Sequence, residues 1–181
     1  MDFFLDSGIF VGLCDHKDKF YEKCKNLLEK YPIRSNSYYT AKIVETELAR
    51  KRLQIIKKGY DNTVLRLIHQ CIKRRLKQME KLVEYEKKKP IQFNSLVDDI
   101  RRITNYKQND AIIVTNAIFW SCGCDPLRDP TLITIDYYDI VEKADRIIEQ
   151  AELKCNRNIP LKIRPLWDIQ RLSGDENQKK E

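Results

Sequence analysis

The sequence predicts an α/β fold in three layers, α/β/α. A central, mostly parallel sheet of four to five strands lies between helices and carries a helical insertion. Three observations predict it. Short β-branched or aromatic runs alternate with segments of helical period, the order that builds parallel sheets. Two of those runs lead directly into an aspartate, Asp6 and Asp136. Residues 50–105 read as helical throughout, so helices outnumber strands.

In chain order, Phe3-Phe4-Leu5 is a short buried strand, and Asp6-Ser7-Gly8 a polar turn in which Gly8 is free to take an unusual backbone conformation. Phe20, Cys24, Leu27, Leu28 and Tyr31 form one helical face that Pro32 ends. The β-prone residues 38–43 give a second strand, and 44–51 a second helix. Over 60–86, Val64, Ile68, Cys71 or Ile72, Leu76, Met79 and Leu82 or Val83 recur at spacings of three and four, predicting one long amphipathic helix. Pro90 punctuates it. A shorter helix is expected from Asn94 or Ser95, either of which can cap it, with Leu96, Ile100 and Ile103 inward. The nearly all-apolar stretch after Asn109 predicts a buried helix, and 131–135 a strand ending at Asp136. An amphipathic helix over 139–153 and a last strand within 160–166 complete the order.

The 181 residues suffice for one core and are short for two, so a single domain is expected over 1–170, with a basic insertion at about 52–92 and a flexible polar tail at 171–181. At 42% hydrophobic the chain is too apolar to be disordered as a whole. No basic region precedes the first apolar run and no stretch nears the roughly 18 apolar residues of a spanning helix, so a cytoplasmic protein without membrane contact is expected. The six cysteines then read as thiols, mostly small buried hydrophobes.

Open parallel sheets place their sites beyond the carboxyl ends of the strands. Asp6 and Asp136 would open onto one such crevice, although a strand-end aspartate also serves as a helix cap or turn former. Asp110 opens the apolar helix, as a cap or as a group aimed into the site. Glu47 sits near the start of the second helix, with Glu45 facing elsewhere. Four converging carboxylates repel one another unless protons or a cation neutralise them. An oxygen-only set suits Mg²⁺ or Mn²⁺, and that pairing points to phosphodiester chemistry.

These residues resemble the PIN-domain nucleases, the VapC-type ribonucleases among them. Leu5-Asp6-Ser7, Val44-Glu45-Thr46-Glu47-Leu48, Asp110-Ala111-Ile112-Ile113 with Ala117, and Thr134-Ile135-Asp136 follow that family's four motifs in order. The chain departs from the pattern in its length and in Asn116, where a small residue is common. The resemblance implies a metal-dependent endoribonuclease that leaves a 5′-phosphate and a 3′-hydroxyl. Asp6, Glu47, Asp110 and Asp136 would hold one or two Mg²⁺ or Mn²⁺ ions. Asp139 would be a further acid or the cap of the next helix, and Ser7 and Thr134 would orient carboxylates. It also implies RNA as partner and, for a toxin, an antitoxin. Other families lack support: Gly8 stands where a haloacid-dehalogenase-like phosphatase has a second Asp, and no glycine-rich phosphate loop occurs.

The net charge of +7 is concentrated, since residues 50–89 hold 14 Lys or Arg against 4 Asp or Glu. Arg50, Arg52, Lys73, Arg74 and Arg75 are the candidate phosphate contacts, the alternative being a solvated helix face. The apolar stripe from Val64 to Val83 could equally form a homodimer seam or meet another protein. Tyr137, Tyr138, Trp120 and Trp167 are candidates for base stacking or for core packing. A non-cleaving RNA-binding or ribosome-associated protein on the same fold is the alternative function.

Overall fold

Phe3, Phe4 and Leu5 are fully buried, and the strand they form, β1 (Asp2–Leu5), lies at the centre of the sheet. β2 (Ser37–Ala41) pairs with it on one side and β4 (Thr131–Thr134) on the other. β3 (Lys81–Val83) and β5 (Lys162–Pro165) form the edges, giving the order β3-β2-β1-β4-β5. Every pairing is parallel, with Phe4 opposite both Tyr39 and Leu132. The computed structural model describes residues 1–56, 59–104 and 108–169, and for residues 52–54 and 81 the backbone alone. The tail 171–181 and Lys57-Lys58 lie outside the described residues.

The helices are α1 (Ser7–Cys14), α2 (Tyr21–Lys30), α3 (Ile43–Ile56), α4 (Asn62–Lys77), α5 (Pro90–Thr104), α6 (Gln108–Ser121) and α7 (Ala144–Cys155). α1 packs on α2 and α4, and α5 packs on α6 and α7; α3 touches α1 and α4 in the first group and α6 in the second. The architecture is the expected three-layer α/β/α. Strands β1 and β4 are buried along their whole length, as parallel strands covered on both faces must be. From Ala111 to Ser121 only Ile112 is less than fully buried, so the apolar run near 110 makes the predicted core helix. No helix among the described residues is long and apolar enough to cross a membrane.

Five local expectations are corrected. The single helix over 60–86 is two elements: α4 stops at Lys77, and Leu82 and Val83 belong to β3, where they pair with β2 and Val83 is buried. A three-residue strand inside a stripe of spacing three and four has no period of its own to betray it. Ser7-Gly8 is the first turn of α1, not an open turn, because the Asp6 carboxylate caps that helix by accepting the Ser7 N–H. Gly8 is needed for space, not for backbone freedom: a β-carbon there would lie 2.6 Å from Ile135 Cδ1. α5 begins at Pro90, whose missing N–H costs nothing at a first helical position. The helix expected over 139–153 is divided into a π-helical turn, Tyr137–Val141, and α7, which starts only at Ala144. Finally, Cys14 and Cys71 form a disulfide, their Cα atoms 5.7 Å apart where the end of α1 crosses α4, while Cys24, Cys122, Cys124 and Cys155 are free.

Asn116, unusual for its position, has a structural task. Its side chain accepts the Tyr85 N–H at 3.0 Å and donates to the Ile112 carbonyl at 2.9 Å, tying the segment after β3 to α6.

Candidate active site

From β1 the chain proceeds outward to β2, whereas β4 leads outward to β5 on the other side. The carboxyl ends of β1 and β4 therefore flank the point where the strand order reverses, the place where open α/β sheets form a crevice. Asp6 follows β1 and Asp136 lies two residues past β4. Thr134 joins them: its hydroxyl donates to Asp6 Oδ2 and accepts the Asp136 N–H, each at 3.0 Å. Asp6 is only 8% exposed and is held by that hydroxyl and by the Ser7 N–H. Asp136 in turn accepts the Asp139 N–H at 3.2 Å, capping the π-helical turn.

Glu47 and Asp110 come from helices that start near the same end. Glu47 is on α3, and its Oε2 is buried without a hydrogen-bond partner among the described residues. Asp110 is in the first turn of α6, where the unpaired N–H groups of a helix start favour an acid. Its carboxyl is nevertheless pushed up to about 6. Burial is the largest cause, followed by the charges of Asp6, Glu47 and Asp136, while Lys51 pulls it back down. Asp110 thus lies within electrostatic reach of the three other carboxylates chosen from the sequence.

Lys51, which stands between the candidate phosphate contacts Arg50 and Arg52 in the sequence, belongs to this group. Its ammonium donates to Ser7 Oγ at 2.7 Å, and Ser7 is 1% exposed. The signal was present: Lys51 follows Glu47 by four residues on a helix, so both project from one face. Asp139 stands apart. It is exposed, 3.9 Å from Lys143, and is not among the charges that act on Asp110. Nor does it cap the next helix, since the cap of α7 is Lys143.

An oxygen-only donor set with one orphaned buried carboxylate oxygen and one reluctant acid fits a hard divalent cation. Among the described residues, no group of three or more His, Cys, Asp or Glu is arranged to hold a metal ion directly. Mg²⁺ keeps several waters and commonly uses only one or two carboxylates, so spacing of this kind is compatible with it.

The candidate phosphate contacts do not gather at the crevice. Arg50 is exposed on α3, one residue before Lys51, and the Arg52 side chain lies outside the described residues. Lys73, Arg74 and Arg75 occupy the end of α4, which leads through Glu80 into the start of β3. Glu80 accepts from Ser37 Oγ and Tyr39 Oη, at the amino-terminal half of β2. These three residues therefore lie toward the amino-terminal end of the strands, the end opposite to Asp6. Arg75 lies there beside a cavity of about 760 Å³, with Lys25 and Arg34.

Neither a family profile nor a curated protein matches the sequence. Among solved structures, the fold is similar to a chain in the crystal structure of VapBC2 from Rickettsia felis bound to a DNA fragment from their promoter. The TM-score is 0.51 at 16% identity, covering 91% of this chain and 98% of that one. At that identity the likeness speaks for the fold: with its five parallel strands in the order above, the chain has a PIN-type fold, as the motifs implied.

Proposed function

We propose that this protein is a divalent-metal-dependent endoribonuclease. The observation that carries the reading is the coupling of Asp110 to Asp6, Glu47 and Asp136 at the strand-order switch, on a PIN-type fold. Carboxylates partly withdrawn from water are gathered at such cost when a cation or a proton is to be managed there. Asp6, Glu47, Asp110 and Asp136 would hold Mg²⁺ or Mn²⁺, directly or through water, with Asp139 at the margin. Bound there, such an ion supplies Lewis-acid activation of water and of the phosphodiester.

The chain's own residues do the positioning. Thr134 fixes one oxygen of Asp6 and the backbone of Asp136, and the Ser7 N–H fixes the other oxygen of Asp6. Lys51 adds a positive charge beside the acids, able to meet a non-bridging phosphate oxygen. Of the phosphate contacts proposed, Arg50 adjoins Lys51 on α3 and would add charge to the strand's path beyond the crevice. Lys73, Arg74 and Arg75 would reach RNA only where it wraps to the amino-terminal end of the strands. An antitoxin or other protein partner, and a homodimer, complete the reading.

Lys51 also favours a second reading, a non-cleaving RNA-binding protein of the same fold, because an ammonium already neutralises part of the cluster. One assay separates the two: single-stranded and structured RNA incubated in Mg²⁺, Mn²⁺ or EDTA, with a DNA control, comparing wild type and Asp6→Asn. Metal-dependent cleavage lost in Asp6→Asn is expected. Equal cleavage by both proteins would overturn the site assignment, and salt-sensitive binding without cleavage would select the second reading.

A further inference from the structure

Immediately after Asp136 the chain exposes two aromatic rings, Tyr137 at 42% and Tyr138 at 74%. Their rings meet edge to face at 5.5 Å. Tyr137 lies 5.9 Å from Trp167, just past the carboxyl end of β5, and Trp167 stacks on Phe20 at 6.4 Å with planes 17° apart. Four rings thus form a continuous row that starts directly after Asp136 and ends at Phe20, just before α2. Lysines accompany it: Lys23 Nζ stands 5.4 Å from the Trp167 ring and Lys19 Nζ 4.8 Å from that of Phe20.

Core packing accounts for part of this row but not for its outer end. Trp120, the other tryptophan, is 5% exposed and packs between Phe4 and Tyr39, as a core ring does. Tyr138 leaves most of its surface in water, touching the row only through Tyr137. Exposed rings in series, interleaved with lysines, are the construction that binds unpaired bases by stacking and their phosphates by charge. A duplex, whose bases are already stacked inside, cannot use it.

We infer that Tyr138, Tyr137 and Trp167, with Lys23 and Lys19, form a stacking platform for single-stranded nucleic acid that leads the strand to the Asp6–Asp136 crevice. As a route to a cutting site it rests on the nuclease reading above; as a binding surface it does not. The π-helical turn capped by Asp136 fixes where the first ring stands, so a base held on Tyr137 or Tyr138 would set the register of the phosphate next to the carboxylates.

The test is binding in EDTA, read by fluorescence anisotropy with short labelled oligonucleotides: a single strand of RNA, the same strand of DNA, the RNA duplex, and an abasic strand of equal length. The wild type is expected to prefer single strands to the duplex and to the abasic strand. Tyr138→Ala is expected to weaken single-strand binding roughly tenfold while leaving the abasic strand unaffected, and Tyr138→Phe to retain binding because the ring, not the hydroxyl, does the work. Comparing the RNA and DNA arms assigns the sugar. Wild-type affinity in both Tyr137→Ala and Tyr138→Ala, or an abasic strand bound as tightly as the base-containing one, would overturn the platform. Without metal no cleavage enters this measurement. A wild type that never cuts RNA would sink the nuclease reading alone, and cleavage intact with the ring variants silent would sink the platform alone.

Discussion

Asp110 is the residue on which the electrostatics of the site converge. Its carboxyl, at about 6 in the folded chain against an ordinary 3.8, binds its proton more tightly when folded. By linkage the metal-free protein loses stability as pH rises from 3.8 to about 6, the range in which the folded chain holds more protons than the unfolded one. Asp110→Asn is expected to remove this slope and, with the group partly solvated, to stabilise the protein in EDTA at neutral pH by about 1 kcal/mol. Denaturant unfolding on either side of that range measures it, and an unchanged slope would refute the coupling. Lys51→Met should push the Asp110 carboxyl higher, moving the acid limb of the pH-rate profile upward and lowering cleavage about tenfold, with partial recovery in Lys51→Arg. Thr134→Val removes both the donor to Asp6 and the acceptor for the Asp136 N–H. It should cost about 1–3 kcal/mol, and Thr134→Ser should recover most of it. Asp6, Asp136 and Thr134 were legible in the sequence because a strand end places them by chain position alone. Lys51 was hidden because it stands in a run of three basic residues whose members residue order alone does not distinguish.

At the scale of elements, the strands β1, β2, β4 and β5 were readable because each is an isolated apolar or alternating run bounded by polar residues. β3 was not, because its two apolar residues continue the stripe of α4. What separates them is the end of α4, where the Gln78 N–H already reaches back to the carbonyls of Arg74, Arg75 and Leu76 and the basic last turn suits the helix dipole. The crossing of α1 and α4 likewise has no local signature, yet it brings Cys14 to Cys71 across 57 positions of sequence. That bridge encloses α2, β2 and α3, and so both Glu47 and Lys51. In the loop-entropy account it is worth up to about 4 kcal/mol. Cys14→Ser or reduction by dithiothreitol is expected to lower the unfolding free energy by about 2–4 kcal/mol, read from denaturant curves with and without reductant; coincident curves would show that the bridge carries no stability.

For the molecule as a whole, the +7 charge divides differently in space from its division along the chain. The crevice holds the acids with Lys51, Lys19 and Lys23 stand over the aromatic row, and Lys73, Arg74 and Arg75 lie toward the amino-terminal end of the strands. Replacing Lys73 and Arg74 together by Gln should therefore change the affinity for a short RNA bound at the crevice by less than about threefold. Arg50→Gln with Lys51→Gln should weaken it further and flatten its salt dependence, as titrations over a series of salt concentrations would show. The sequence by itself determined the α/β class and the central buried strands, and it offered the four carboxylates as candidates, because strand ends and helix starts are local events written in residue order. Only the tertiary structure decided which charges share a crevice, which cysteines meet and which rings form a row. Those depend on how parallel strands order themselves in the sheet and on the direction in which each helix returns across it.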